Sequence, residues 1–499
     1  MCASVFILLL LRPRIAAKLT KKRYASTKQK TKIQSSTSLS FSVAEELNSV
    51  RKIACPVAIT GLLFQFKSII SMLFLGHLGD IELAGGSLSL GIANITGYSV
   101  LKGLAMGMEP ICSQAYGAKK GTILSQACRR TLSILIVIIF PISILWVNIE
   151  HILLSLGQEQ AIISVAKVYI IYSIPELIAQ ALLNPLRIFL RTQNINKPLT
   201  IAASFALIFH IAINIILAMV LNLGVRGVAL AAASHTFIVI LGLLVYLIFS
   251  RTALKPWDWQ AVDSCNQGWW SLLSLMLPSL LSICLEWWWY EIMLIMCGLL
   301  SDPQASVSAM GILIQTTGLL YVFPNSLNQG LSTLVGQALG AEQPGRAQRT
   351  TIMGIIVAFV GGLLASAFAF AVRDAWGKLY TSESAVLALT KAALPILGLC
   401  ELGNCPQTAA CGILLGSARP KLGVCINFCA FYIIGLPVAA LMAFELKIGF
   451  LGLWYGLAAA QASCVVMMII TLFCTDWKLQ AQRAKELTQS SEEEASLLS

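Results

Sequence analysis

Three carboxyl groups stand inside stretches of sequence that are otherwise apolar: Glu286, Glu291 and Glu401. A charged side chain within a membrane span is costly and usually serves function. A carboxyl group in a low-dielectric surrounding can take a proton from one side of a membrane and release it to the other, so it can couple proton flow to the movement of a cargo. Glu286 and Glu291 are five residues apart, about 140° around a helix of 3.6 residues per turn. They cannot share one line into a cavity, so one is expected to face it and the other a neighbouring helix. The competing reading is a hydrogen-bonded structural carboxyl, or one close to the lipid headgroups. Beside Glu286 runs Trp287-Trp288-Trp289-Tyr290. Aromatic faces attract organic cations and stack planar molecules, although Trp also marks membrane interfaces. Trp287 and Tyr290 are the cargo-contact candidates of this run, Tyr290 sharing a face with Glu286 at i+4. Asn94, Gln315 and Tyr321 are further candidates, with inter-helix hydrogen bonding as the alternative.

Other charges in apolar stretches are Glu176, which follows the helix breaker Pro175, and Glu109, beside Pro110 and read as structural. Lys67 either pairs with a carboxylate or snorkels.

These side chains need apolar helices to hold them. The chain has 499 residues, 57% hydrophobic and only 12% charged. A soluble domain carries roughly 25% charged residues. The apolar runs are long enough to cross a bilayer, which takes about 20 residues each. The predicted spans are 54–76, 83–106, 127–148, 162–190, 199–221, 227–249, 272–298, 306–330, 351–372, 386–415, 422–444 and 450–474. The chain thus reads as an all-α membrane protein with twelve transmembrane helices in two six-helix lobes. The organisation is a basic, disordered tail (1–50), an N-lobe (51–249), a cytoplasmic linker (250–271), a C-lobe (272–474) and a polar, mobile tail (475–499). Most of the 35 Lys and Arg fall in the tails and in alternate loops of one side. That is the positive-inside pattern, so both termini are expected in the cytoplasm, and the net charge of +12 implies no nucleic-acid partner. The 14 Cys form no CxxC pair and read as small packing residues, so no metal or other cofactor is expected.

The two halves repeat. Pro56, Gly76 and Asp80 recur 222 residues on as Pro278, Gly298 and Asp302. Gln114-Ala115-Tyr116-Gly117-Ala118 recurs 223 on as Gln337-Ala338-Leu339-Gly340-Ala341. Gly224 and Gly227 recur 225 on as Gly449 and Gly452. Six spans separate equivalent residues, so the halves run the same way through the membrane, with a transport path between them.

Phe74-Leu75-Gly76-His77-Leu78-Gly79, Asn94-Ile95-Thr96-Gly97, the block from Gly103 to Pro110, the two Gln-Ala-x-Gly-Ala loops and the block from Cys284 to Glu291 resemble the multidrug and toxic compound extrusion (MATE) family, its plant DETOXIFICATION branch above all. The likeness runs from about residue 50 to 475. It implies twelve helices in two lobes and export of organic compounds, usually in exchange for protons. It also implies that Glu286, Glu291 and Glu401 match important acidic positions. The bacterial branch carries an acidic group on the first span; here that span offers Gln65, Lys67 and Ser68, which moves the expected coupling to the second lobe.

The chain is therefore expected to be a secondary-active antiporter that exports xenobiotics or secondary metabolites, cationic ones included, in exchange for protons. Its expected partners are a small organic substrate, protons and the lipid bilayer, and it is expected to act as a monomer. No HExxH, GxSxG or GxxxxGK[ST] pattern supports an enzyme. A channel, or a carrier of major-facilitator type, is the remaining rival. The cargo and the choice among vacuolar, endosomal or Golgi, and plasma membranes stay open, as does an acidic dileucine sorting pattern at Glu493 and Leu497-Leu498.

Overall fold

The computed structural model describes residues 35–155, 160–250 and 267–496. The described residues are mostly helical, with no strand among them. Helices are numbered here in chain order. The first half comprises α1 (Ser35–Leu78), α2 (Asp80–Ala93), α3 (Ser99–Met106), α4 (Glu109–Gly117), α5 (Gly121–Val147), α6 (Ile149–Ser155), α7 (Gln160–Tyr172), α8 (Ile174–Thr192), α9 (Lys197–Asn214) and α10 (Val225–Phe249). The second comprises α11 (Gln267–Cys297), α12 (Pro303–Gly340), α13 (Pro344–Val372), α14 (Ser384–Gly416), α15 (Pro420–Asn427), α16 (Leu436–Ala440), α17 (Phe450–Phe473) and α18 (Trp477–Ser496).

Ten of the described helices, counted with their π-helical extensions, are long and apolar enough to cross a membrane. An eleventh candidate is the pair α7 and α8, bent by 43° at the break before Pro175, where proline removes a helical donor. Asp80–Met106 runs as helix, a π-helical turn at Asn94–Tyr98, and helix again.

Local chemistry sets the helix ends. Asp302 caps α12, its side chain accepting from the Ala305 N–H at 3.2 Å, with Pro303 in the first turn. Gly224 and Gly449 precede α10 and α17 with φ of 54° and 68°, a left-handed conformation that favours glycine. Three residues on, a Cβ at Gly227 would sit 2.7 Å from the Ala218 backbone N, and one at Gly452 would sit 2.6 Å from that of Ala443. The glycine repeat read from the sequence is thus one tight turn and one close helix approach, built twice.

Buried apolar side chains gather in two large clusters. One runs from Ala93 to Met276. The other runs from Trp289 to Ala484 and takes in Val50, Ile53 and Val57 of α1. The cytoplasmic-tail expectations need correction at both ends. Residues 35–50 are helical rather than disordered. Glu46 is buried, accepts from Thr350 at 2.9 Å and pairs with Arg346 at 3.6 Å. The C-terminal stretch forms α18 instead of a mobile tail. Trp477, Ala481 and Ala484 bury one face at i, i+4 and i+7, and Lys485 pairs with Glu342 at 2.8 Å. Residues 1–34, most of the linker (251–266) and Leu497-Leu498 of the sorting pattern lie outside the described residues.

Candidate functional site

Ser279, Ser282, Ile283, Glu286 and Trp287 fall at i, i+3, i+4, i+7 and i+8 of α11, so they occupy one face of that helix. Tyr321, Asn325 and Asn328 do the same on α12 at i, i+4 and i+7. These two faces line a cavity. Cys411 and Leu414 of α14 close one side, and Lys102 and Met106 of α3 reach in from the other half of the chain. The wall is therefore shared between the halves.

Within it the Tyr321 hydroxyl sits beside the Glu286 carboxylate, and the Trp287 and Tyr321 rings meet edge to face with centroids 6.1 Å apart. Tyr290 lies within electrostatic reach of both Glu286 and Glu401. Glu401 is only 2% exposed and accepts from the Asn404 amide at 3.0 Å, with the Cys405 thiol at 3.7 Å. No cation pairs with Glu286, Glu291 or Glu401 among the described residues.

The other sequence candidates sit elsewhere. Glu291 is partly buried and outside the cavity wall, without a hydrogen bond among the described residues. Asn94 opens the π-helical turn with an exposed side chain, and Gln315 is exposed on α12; neither lines the cavity. Within the aromatic run, Trp289 is fully buried against Phe431 and Tyr432, while Trp288 is exposed. Among the described residues, no group of His, Cys, Asp and Glu could hold a metal ion.

In the first half the corresponding carboxylate is neutralised internally. Lys67 forms a short ion pair with Glu176, and Thr236 and Gln180 complete the network at 3.2 and 3.4 Å from the same oxygen. Of the two readings open for Lys67, the structure takes pairing. Glu176 and Glu401 are repeat partners, yet one carries a cation and the other an amide and a thiol.

One end of the molecule is sealed. Glu109 of α4 pairs with Arg191 of α8 at 2.6 Å, both side chains nearly inaccessible. From the second half, Gln329 accepts from Arg191, and Thr333 approaches Glu109 at 3.5 Å. Gln114 donates to the Gly416 carbonyl at 3.0 Å and Gln337 to the Thr192 carbonyl at 2.8 Å. A Cβ on Gly117 would strike the Gln337 carbonyl, and one on Gly340 the Gln114 carbonyl. The repeated Gln-Ala-x-Gly-Ala segments, which form the last turns of α4 and α12 rather than loops, therefore pack against each other, each glycine under its partner's glutamine. Lys102 stands out in the sequence as a cation within a predicted span but carries no role there; the cavity serines and asparagines, and this seal, escaped the reading of the sequence. The i, i+3, i+4, i+7 polar spacing on α11 and α12 was the available signal.

The MatE family model matches residues 56–216 and 278–441. Protein DETOXIFICATION 53 of Arabidopsis thaliana is 55% identical over 449 residues, covering 90% of this chain and 92% of that protein. Protein DETOXIFICATION 49 of the same plant is 52% identical over 457 residues, covering 91% and 90%. Among solved structures, the crystal structure of the eukaryotic MATE transporter AtDTX14 matches with a TM-score of 0.85 at 29% identity, over 90% of this chain and 100% of that one. The Vibrio cholerae MATE transporter VcmN in its bent form shares the fold, with a TM-score of 0.76 at 16% identity over 90% of this chain and 99% of that one.

Proposed function

Because this chain belongs to the MatE family, and is thus a multi-pass membrane efflux transporter rather than an enzyme, we propose that it exports small organic molecules in exchange for protons through Glu286. In this reading Asp80–Met106 is the span that completes twelve, in two lobes of six. The termini lie in the cytoplasm, and the sealed end formed by the Gln114 and Gln337 segments is the cytoplasmic gate. The protein then stands with its cavity closed to the cytoplasm.

One observation carries the coupling assignment. Glu286 lies on a cavity wall shared by both halves and makes no ion pair among the described residues, whereas Glu109 and Glu176 are held by Arg191 and Lys67. A carboxyl so placed exchanges its proton as the cavity opens to one side and then the other. Glu401 and Tyr290 sit behind it as a second acidic group and a bridging phenol, Trp287 and Tyr321 offer aromatic surface to the cargo, and Glu291 is a third acidic candidate away from the wall. Asn94 and Gln315 belong to this reading as cargo contacts of a conformation other than the one described.

The test loads vesicles containing the purified protein with a panel of organic cations and neutral metabolites, imposes a pH step and follows efflux. Wild-type protein is expected to export panel members when the opposite side is acidified, and Glu286→Gln to abolish that export while still inserting in the membrane. Wild-type rates in Glu286→Gln would reject the assignment. A sodium step that drives export where a pH step does not would replace the proton as the coupling ion.

A further inference from the structure

The membrane interior of this protein holds more charge than its ion pairs consume. On the first-half side, Lys67 and Arg191 are spent on Glu176 and Glu109. Two cations are left. Lys102 lines the cavity from α3 and is partly exposed. Arg187 of α8, also partly exposed, lies over the Phe64 ring with its guanidinium carbon 5.4 Å from the ring centroid. The two sit within electrostatic reach of each other. Neither makes an ion pair or a hydrogen bond among the described residues. Lys102 also feels Glu286 across the boundary between the halves, yet does not bond to it. Two like charges held near each other without an ion-pair partner are costly, and one of them, Lys102, stands on the cavity wall with Arg187 behind it.

The repeat register sharpens the contrast. The second-half residues equivalent to Lys102 and Arg187 are Asn325 and Gly412, at offsets of 223 and 225. The first-half residue equivalent to Glu286 is Phe64, at 222. The two halves share a backbone plan but present opposite charges to the space between them: basic from the first half, acidic from the second. On α8 the basic group ends a polar stripe of Glu176, Gln180, Asn184, Arg187 and Arg191, spaced by three or four residues along one helix face.

We infer that the cargo is amphoteric, with an anionic group such as a carboxylate that binds Lys102 and Arg187 and a basic nitrogen that binds Glu286. The inference rests on the antiport reading above and deepens it. A simple organic cation placed at Glu286 would have the uncompensated Lys102 for a neighbour on the same cavity wall, with Arg187 behind it. A simple anion would bind most favourably when Glu286 is protonated, which links proton and cargo in the same direction rather than in exchange. A zwitterion satisfies both walls. Its nitrogen competes with the proton for Glu286, as antiport requires. Its carboxylate gains charge-assisted hydrogen bonds from Lys102 and Arg187 without taking part in that competition.

The test uses three naphthyl probes on one scaffold: 2-(2-naphthyl)ethylamine, 2-naphthylalanine and 3-(2-naphthyl)propionate. Binding to the purified full chain in lipid nanodiscs is measured for each. The amino acid is expected to bind about ten-fold or more tighter than the amine, the gain of a charge-assisted contact, and tighter than the propionate. Lys102→Met is expected to erase the preference over the amine, Arg187→Met to reduce it, and Lys102→Arg to keep it. A wild-type order with the amine or the propionate first or level, or no measurable binding of naphthylalanine, overturns the inference. So does equal weakening of all three probes by Lys102→Met. The wild-type order decides even if a variant fails to fold. The antiport reading fails separately, through undiminished gradient-driven export by Glu286→Gln.

Discussion

Four carboxyl groups of the membrane interior divide by partner: Glu109 and Glu176 each hold a cation, while Glu286 and Glu401 hold none among the described residues. That division predicts different failures on neutralisation. Glu176→Gln leaves Lys67 buried without its anion and should cost about 3–5 kcal/mol, read as a lowered unfolding temperature of the detergent-solubilised protein. Glu286→Gln breaks no ion pair and should leave that temperature nearly unchanged while removing gradient-driven export. If Glu286→Gln destabilises as strongly as Glu176→Gln, the glutamate is structural. Glu286 and Glu401 could be picked out from sequence because a charge within an apolar run is conspicuous wherever the run goes. Pairing could not. Lys67 and Glu176 are 109 residues apart in the chain, and nothing local to either marks the other. The facing of Lys102 toward Glu286 depends in the same way on how the two halves meet.

Between the halves the C-terminal ends of α4 and α12 approach closely. Glycine at 117 and at 340 admits the carbonyl of the facing glutamine where a side chain would collide with it. Gly117→Val is therefore expected to hold the ends of α4 and α12 apart, with export falling ten-fold or more while insertion stays normal. Export at wild-type rates would show that these ends do not need to meet. Arg191→Met strips the buried Glu109 of its partner and should destabilise the sealed form by about 3–5 kcal/mol; pairing it with Glu109→Gln should recover much of the loss, since a buried ion pair replaced by neutral groups is often near neutral. Thermal unfolding of the single and double variants checks this. The Gln-Ala-x-Gly-Ala motif was visible in the sequence as a repeat at a fixed offset, and so was the repeated glycine before α10 and α17. Repetition shows that a motif matters twice; it does not show that the two copies touch. The polar faces of α11 and α12 were also written in the spacing of serine and asparagine, but small polar residues in apolar helices often serve only to tie helices together. The helices at both ends, residues 44–50 and α18, were hidden for a different reason. Their composition is polar, and their order comes from one narrow face docked on the rest of the chain.

At the scale of the whole molecule, the proposed two-lobed plan encloses one asymmetric space, with Glu286 contributed by the second half of the chain and Lys102 by the first. The helical class follows from hydrophobic run length and the proposed two-lobed plan from repeat offset, both properties of sequence alone. The charge asymmetry follows from where the repeats differ, and its meaning emerged only once both halves lined the same cavity. The competition of cargo and proton for Glu286 is the step on which the proposed cycle turns. It is tested most directly by mixing purified protein with the exported panel compound in weakly buffered solution and recording protons released on binding. Wild-type protein should release about one proton per compound bound at a pH where Glu286 is protonated, and Glu286→Gln should release none. Equal proton release from both proteins would contradict that competition.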